Sequence, residues 1–200
     1  MKPSDVYSFE ALFRSAIDPW NYRTSRFEAY KRQDLLRACG SKKVARGLEL
    51  ACAIGETSRA LTSRCLTLVA TDGAPTALAE AKRLTSPHLR IDYRLGVLPK
   101  DVPRGPFDLI VVSEIAYYLS ARQLDSLAQS LIKTVAPGGK IVVLHHVIPF
   151  DDAAQIPSMA QARLCRALSL KMGRVYQHRH RRYSVAALCK RQAKPRNGHG

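Results

Sequence analysis

Short apolar runs alternate with longer helix-patterned segments through the middle of this chain, and that alternation leaves few folds open. Residues 47–52, 66–70, 89–95, 109–113 and 140–147 have the length and apolar content of buried strands. Residues 57–64, 75–84 and 121–135 carry the helical patterns between them. In the last of these, Leu124, Leu127, Ala128, Leu131, Ile132 and Val135 recur at spacings of three and four, forming one apolar stripe. Ser120 stands where a helix cap is expected, and Ala136-Pro137-Gly138-Gly139 should stop the helix. Strands alternating with helices predict βαβ units, right-handed crossovers and a parallel sheet.

The pattern changes after Pro149. Residues 160–172 read as a helix, and residues 174–178 and 183–188 as two short strands that close the sheet as a hairpin. The first forty residues form a separate helical region broken at Asp18-Pro19. The expected organisation is a helical addition over 1–40, a Rossmann-like α/β domain over 41–190, and a disordered basic tail over 191–200. A chain of 200 residues suits one domain of this kind.

The net charge of +16 invites a nucleic-acid reading until it is divided along the chain. Residues 1–152 are nearly balanced at +5, whereas residues 153–200 carry +11 and no acidic residue. The excess therefore falls largely outside the strand–helix alternation, where a solvated basic face is the expectation and a nucleic-acid partner is not. No apolar run approaches the ~18 residues of a membrane span. The start, Met-Lys-Pro-Ser-Asp, has no apolar signal core, so a cytoplasmic chain is expected. Five dispersed cysteines with no Cys-x-x-Cys, and a His145-His146 pair with no ligand set around it, predict reduced thiols and no metal.

In an open α/β sheet, ligands bind beyond the carboxyl ends of the strands. The first strand runs into Ala51-Cys52-Ala53-Ile54-Gly55, where small residues let a ligand approach the backbone. Alanines occupy two of the positions where a dinucleotide fingerprint needs glycines, and no Walker Gly-Lys-Ser/Thr occurs. Asp72 ends the second strand about 20 residues on, which suits a carboxylate on ribose hydroxyls. The competing role for Asp72 is a cap for the helix that starts near Pro75. Together the two features point to a nucleoside ligand that lacks a pyrophosphate.

Glu49-Leu50-Ala51-Cys52-Ala53-Ile54-Gly55, Asp72, the segment from Phe107-Asp108 to Ser113-Glu114-Ile115-Ala116-Tyr117-Tyr118-Leu119, and Ala136-Pro137-Gly138-Gly139 resemble the consecutive motifs of class I S-adenosylmethionine-dependent methyltransferases. Tyr7, Asp18-Pro19-Trp20 and Arg26-Phe27-Glu28 narrow the resemblance to NodS-like nodulation methyltransferases, over roughly residues 5–147. The resemblance implies a mainly parallel seven-stranded sheet with a C-terminal antiparallel hairpin and an N-terminal helical lid. It also implies methyl transfer to the free amine of a deacetylated chitooligosaccharide or related amino sugar. A monomer is the expected state.

Carried over by position, Glu49 and the turn Ala51 to Gly55 would face the methionine part of S-adenosylmethionine. Asp72 would hold its ribose, and Gly73, Ala74 and Val97 would border the adenine. Ser113 would close the reacting side, while Tyr7, Trp20 and Lys31 would belong to the lid, with Lys31 meeting the cofactor carboxylate. The family usually has glycine where Ala51 stands, and an acid near Gly96-Val97 for the adenine amino group.

Glu114 is the candidate to bind, orient and deprotonate the acceptor amine. Its alternatives are a cap or a pairing with Arg122. Tyr117 is placed with it at the methyl path, and Tyr117, Tyr118 and His145 on the acceptor side. His145 and His146 both follow strand five there, with a proton acceptor and a structural histidine as the competing roles. Two other readings stay open: another small amine or hydroxyl acceptor, and a degraded Rossmann module that binds nucleic acid through residues 163–196.

Overall fold

A computed structural model describes residues 6–192. Two helices, α1 (Val6–Ser15) and α2 (Arg26–Cys39), precede the sheet. The Asp18-Pro19 break between them is a turn closed by the Asp18 carboxylate, which accepts from the backbone N–H groups of Tyr22 at 2.8 Å and Arg23 at 3.1 Å. Then follow β1 (Val44–Leu50), α3 (Glu56–Leu61), β2 (Cys65–Asp72), α4 (Pro75–Leu84), β3 (Ile91–Leu95), β4 (Phe107–Ser113), a 3-10 turn (Ala116–Tyr118) and α5 (Ala121–Thr134). The chain closes with β5 (Val135–His146), α6 (Pro157–Ser169), β6 (Met172–Arg179) and β7 (Tyr183–Lys190).

The seven strands lie in the order β3-β2-β1-β4-β5-β7-β6. The first five are parallel, and β7 pairs antiparallel with both β5 and β6. The expected seven-stranded sheet with its terminal hairpin is therefore observed. Strand order reverses between β1 and β4, which opens the crevice at the carboxyl ends of those strands.

The apolar strand runs are buried on both faces. Leu48, Leu50, Ile110 and Val112 pack under α5 and α6 with Leu124, Leu127, Leu131 and Leu164. Val111, Val142, Leu144 and Val185 pack on the other face with Leu35, Leu61 and Leu78. Ser120 caps α5 in a reciprocal capping box with Gln123. The helix ends at Thr134, and Ala136 to Gly139 enter β5 rather than a loop.

Helix α4 lacks a side-chain cap of its own. The carboxylate of Glu10 on α1 supplies one, accepting from Thr76 N–H at 3.0 Å and from the Thr76 hydroxyl at 2.6 Å. All five cysteines are free, and four are buried. Among the described residues, no helix is long and apolar enough to cross a membrane and no group of His, Cys, Asp or Glu could hold a metal. Of the basic tail expected over 191–200, residues 193–200 lie outside the described residues.

Candidate active site

A cavity of about 580 Å³ lies over the carboxyl ends of β1, β2 and β4. Trp20, Lys31, Glu49, Ala51, Asp72, Gly73, Ala74, Val97, Ser113, Glu114, Tyr117 and Tyr118 all line it, so most of the residues singled out in the sequence meet in one place.

The floor is the turn after β1. Ala51 and Ala53 adopt left-handed φ values of 57° and 48°, as does Gly55 at 78°. An alanine in that region carries a cost of roughly 1–2 kcal/mol that glycine escapes. The Asp72 carboxylate holds the turn, accepting from Ala53 N–H at 2.8 Å and from Ala74 N–H at 2.9 Å. Burial pushes its pKa up, partly offset by the backbone N–H groups it accepts from. Asp72 thus braces both the turn and the start of α4 while lining the cavity. Beneath it, Glu49 is buried and accepts from the Ser58 hydroxyl at 2.5 Å. Burial raises its pKa to about 8, with the Ser58 hydrogen bond pulling the other way.

Glu114 follows β4 with a left-handed φ of 55°, which turns its carboxylate into the cavity. One oxygen accepts from the Lys31 ammonium at 2.6 Å. The other accepts from the Tyr117 hydroxyl at 2.6 Å and from His146 N–H at 2.9 Å. Burial pushes the Glu114 pKa up, but the ammonium of Lys31, the charge of His145 when protonated and the hydrogen bonds outweigh it, and the net direction is down. Lys31 also meets Glu28 at 2.8 Å. Arg122 is not among these partners.

Aromatic side chains complete the wall. Phe9 of α1 meets Tyr118 edge-on, with ring centroids 4.8 Å apart, and Phe13 and Tyr22 each lie 5.6 Å from Trp20. Tyr117 stands edge-on to Tyr118 at 4.7 Å and to Phe150 at 5.0 Å.

Several expectations need correction. Tyr7 is 85% exposed on the outward side of α1 and does not line the cavity. Gly55 is not a wall residue either: it caps α3, and a Cβ there would come within 2.5 Å of the Tyr93 hydroxyl, so its role is backbone shape. His145 is 0% exposed and turned away into the core, because side chains alternate along β5; His146 lines the cavity instead. Lys31 lines the cavity with two of its three N–H donors engaged, by Glu28 and Glu114. Val97 has both backbone polar groups engaged by Asp101, at 3.0 Å and 2.9 Å. Arg182, from the basic C-terminal quarter, also lines the cavity, with its guanidinium 3.8 Å over the Phe27 ring. The excess charge is not wholly outside the site.

Phe9, Phe13, Tyr22, Phe27, Glu28, Phe150 and Arg182 went unassigned in the sequence. The aromatic interleaving of residues 9–27 was the available signal.

The chain matches the family model "Nodulation protein S (NodS)" over residues 10–145, more than half its length. This chain belongs to the nodulation protein S family. Nodulation protein S of Rhizobium tropici is 29% identical over 144 residues, covering 71% of this chain and 60% of the relative. That of Sinorhizobium fredii is 28% identical over 143 residues, covering 70% and 66%. The chain thus spans less than two thirds of these relatives' length. Among solved structures, N-methyltransferase NodS from Bradyrhizobium japonicum WM9 in complex with S-adenosyl-L-homocysteine superposes with a TM-score of 0.78. It is 24% identical, and the match covers 92% of this chain and 98% of that one. The NodS fold is therefore the fold of this chain. The family match ends before α6, β6 and β7, so Arg182 stands outside it.

Proposed function

We propose that this NodS-family chain is an S-adenosylmethionine-dependent N-methyltransferase acting on the free amine of a deacetylated chitooligosaccharide or related amino sugar. The observation that carries the reading is the Glu114 carboxylate, aimed into the cavity and fixed by Lys31, Tyr117 and the His146 backbone.

The donor set fits the cofactor. A cationic nucleoside that is also an amino acid needs apolar faces, hydrogen-bonding acid groups and room, and the cavity offers Trp20 and Tyr22, Asp72 and Glu49, and about 580 Å³. Asp72 would hold the ribose, Gly73 and Ala74 would border the adenine, and the Ala51 turn would meet the amino-acid end. Trp20 covers the site from the lid, and Ser113 closes its reacting side. Bound there, the cofactor supplies an electrophilic methyl group, so positioning the amine provides much of the acceleration.

Glu114 receives the acceptor ammonium on its carboxylate oxygens, orients it and takes its proton, leaving a neutral lone pair. Its lowered pKa keeps it ionised and able to bind a cation at neutral pH. Tyr117 fixes the carboxylate by donating to it. Tyr118, Phe150 and Phe9 offer faces on which a sugar ring packs while water is excluded.

Isothermal titration with S-adenosylhomocysteine tests the cofactor, and methyl transfer to deacetylated chitooligosaccharides against a panel of simple amines tests the acceptor. Glu114→Gln is expected to keep cofactor affinity and to lower turnover at least tenfold. Full turnover in that variant would leave Glu114 a structural role.

A further inference from the structure

His145 forms a continuous hydrogen-bonded chain with groups on either side of it. Its Nδ1 lies 2.6 Å from Gln161 Oε1 of α6, and its Nε2 lies 3.0 Å from the backbone N–H of Ala116. His145, Ala116 and Gln161 are all buried.

The protonation of this chain follows from its ends. Gln161 Nε2 reaches the carbonyl oxygens of Ser184 at 3.3 Å and Val143 at 3.5 Å, and carbonyls can only accept. The amide nitrogen must therefore face them, which leaves Oε1 as an acceptor toward His145. Nδ1 then carries the proton. Nε2, left with a lone pair, accepts from Ala116 N–H, a donor that begins the 3-10 turn and has no helical partner.

We infer that His145, held by Gln161 in the Nδ1–H form, is a positioning residue that fixes the Glu114–Tyr118 turn through the Ala116 N–H. It touches neither cofactor nor acceptor. Glu114 and Tyr117 flank Ala116 in this turn, and the Tyr117 ring stands edge-on to the imidazole at 5.6 Å. Protonating Nε2 would set an N–H against the Ala116 N–H, and the turn would lose its anchor. Three charged or titratable groups face the imidazole: Glu114 at the end of β4, Tyr117 on the turn, and Lys31 of α2. Burial lowers the His145 pKa and Glu114 opposes it, with the net direction down, which keeps the ring neutral through the physiological range. Gln161 and Ser184 lie beyond the span of the family match, so the C-terminal quarter sets the geometry of the turn.

The inference rests on the methyltransferase reading for its catalytic consequence, but the tautomer can be tested without it. Nitrogen NMR of the full-length wild-type chain should show the His145 Nδ1 protonated and Nε2 bare at pH 7.5. The opposite tautomer would overturn the proposal. Gln161→Glu, with an anionic acceptor on Nδ1, should shift the acid limb of the kcat profile to higher pH. An unmoved limb counts against the proposal.

A side-chain series then separates positioning from packing. His145→Gln can still accept from Ala116 N–H and should stay within threefold of wild-type kcat. His145→Asn reaches only toward Gln161 and should lose tenfold or more in kcat, with S-adenosylhomocysteine affinity unchanged. Equal losses in both variants would refute the role. If the wild type neither binds S-adenosylhomocysteine nor methylates an amine, the methyltransferase reading fails, while the tautomer result still decides the anchor.

Discussion

The Lys31 ammonium lies 2.6 Å from Glu114 Oε1, tying α2 of the N-terminal helices to the carboxyl end of β4. Both side chains are mostly buried, and Lys31 is only 7% exposed. Removing one member of such a pair strands the other charge and costs about 3–5 kcal/mol. Lys31→Met should therefore lower urea-unfolding stability by that order, and adding Glu114→Gln should restore part of it. Independent, additive effects in the double-mutant cycle would show that the pair is not coupled.

The same pair sets an acid limit. The Glu114 pKa is lower in the folded chain, so the unfolded state binds the proton more readily. Its stabilisation is full above the unfolded value of about 4.3 and is lost as pH falls through the folded value. Wild-type stability should fall more steeply below about pH 4.3 than that of Glu114→Gln, measured by urea titration across that range.

Glu49 behaves in the opposite sense. Burial raises its folded pKa to about 8, so its contribution is full below the unfolded value and is lost as pH rises toward 8. Glu49→Gln keeps an acceptor for the Ser58 hydroxyl without the buried charge. Its stability relative to wild type should improve between pH 5 and about pH 8, and a pH-independent difference would contradict the assignment.

Ala51 pays for its left-handed φ of 57°. Replacement by glycine removes roughly 1–2 kcal/mol of strain, offset by the entropy glycine adds to the unfolded chain, about 0.4–1 kcal/mol. Ala51→Gly should thus be neutral or slightly stabilising in urea titrations, whereas Ala51→Val should destabilise. The reverse order would place the strain elsewhere.

Asp72→Ala removes the acceptor for Ala53 N–H and Ala74 N–H together with the proposed ribose ligand. Charge-assisted hydrogen bonds contribute about 1.5–3 kcal/mol, so S-adenosylhomocysteine affinity should fall tenfold or more in calorimetry. Unaltered affinity would leave Asp72 only its bracing role.

Helix order, strand runs and the hairpin were legible because burial in a parallel sheet writes continuous apolar runs, and amphipathic helices write a period near 3.6. Helix α4 appears over the residues its pattern marks, and Ser120 caps α5. Boundaries moved where backbone pairing overrode the side-chain pattern: β1 begins at Val44, before its buried run, because it pairs with β2 there, and buried Val135, the last residue of the helical stripe, opens β5 by pairing with Phe107. Glu49, Ala51, Asp72, Ser113 and Glu114 fell into one cavity because each sits at or just past the carboxyl end of a strand, and the sheet topology brings those ends together.

The sequence by itself determined the alternation, the sheet, the nucleoside-suited turn and the strand-end carboxylates. The tertiary structure decided which side chains face one another. It placed His146 rather than His145 on the cavity, gave Glu10 of α1 to the start of α4, paired Lys31 with Glu114 across 83 positions, and brought Arg182 back from the basic end. Spacing along a chain reports local periodicity, while partners distant in sequence meet only when packing has fixed where each element lies.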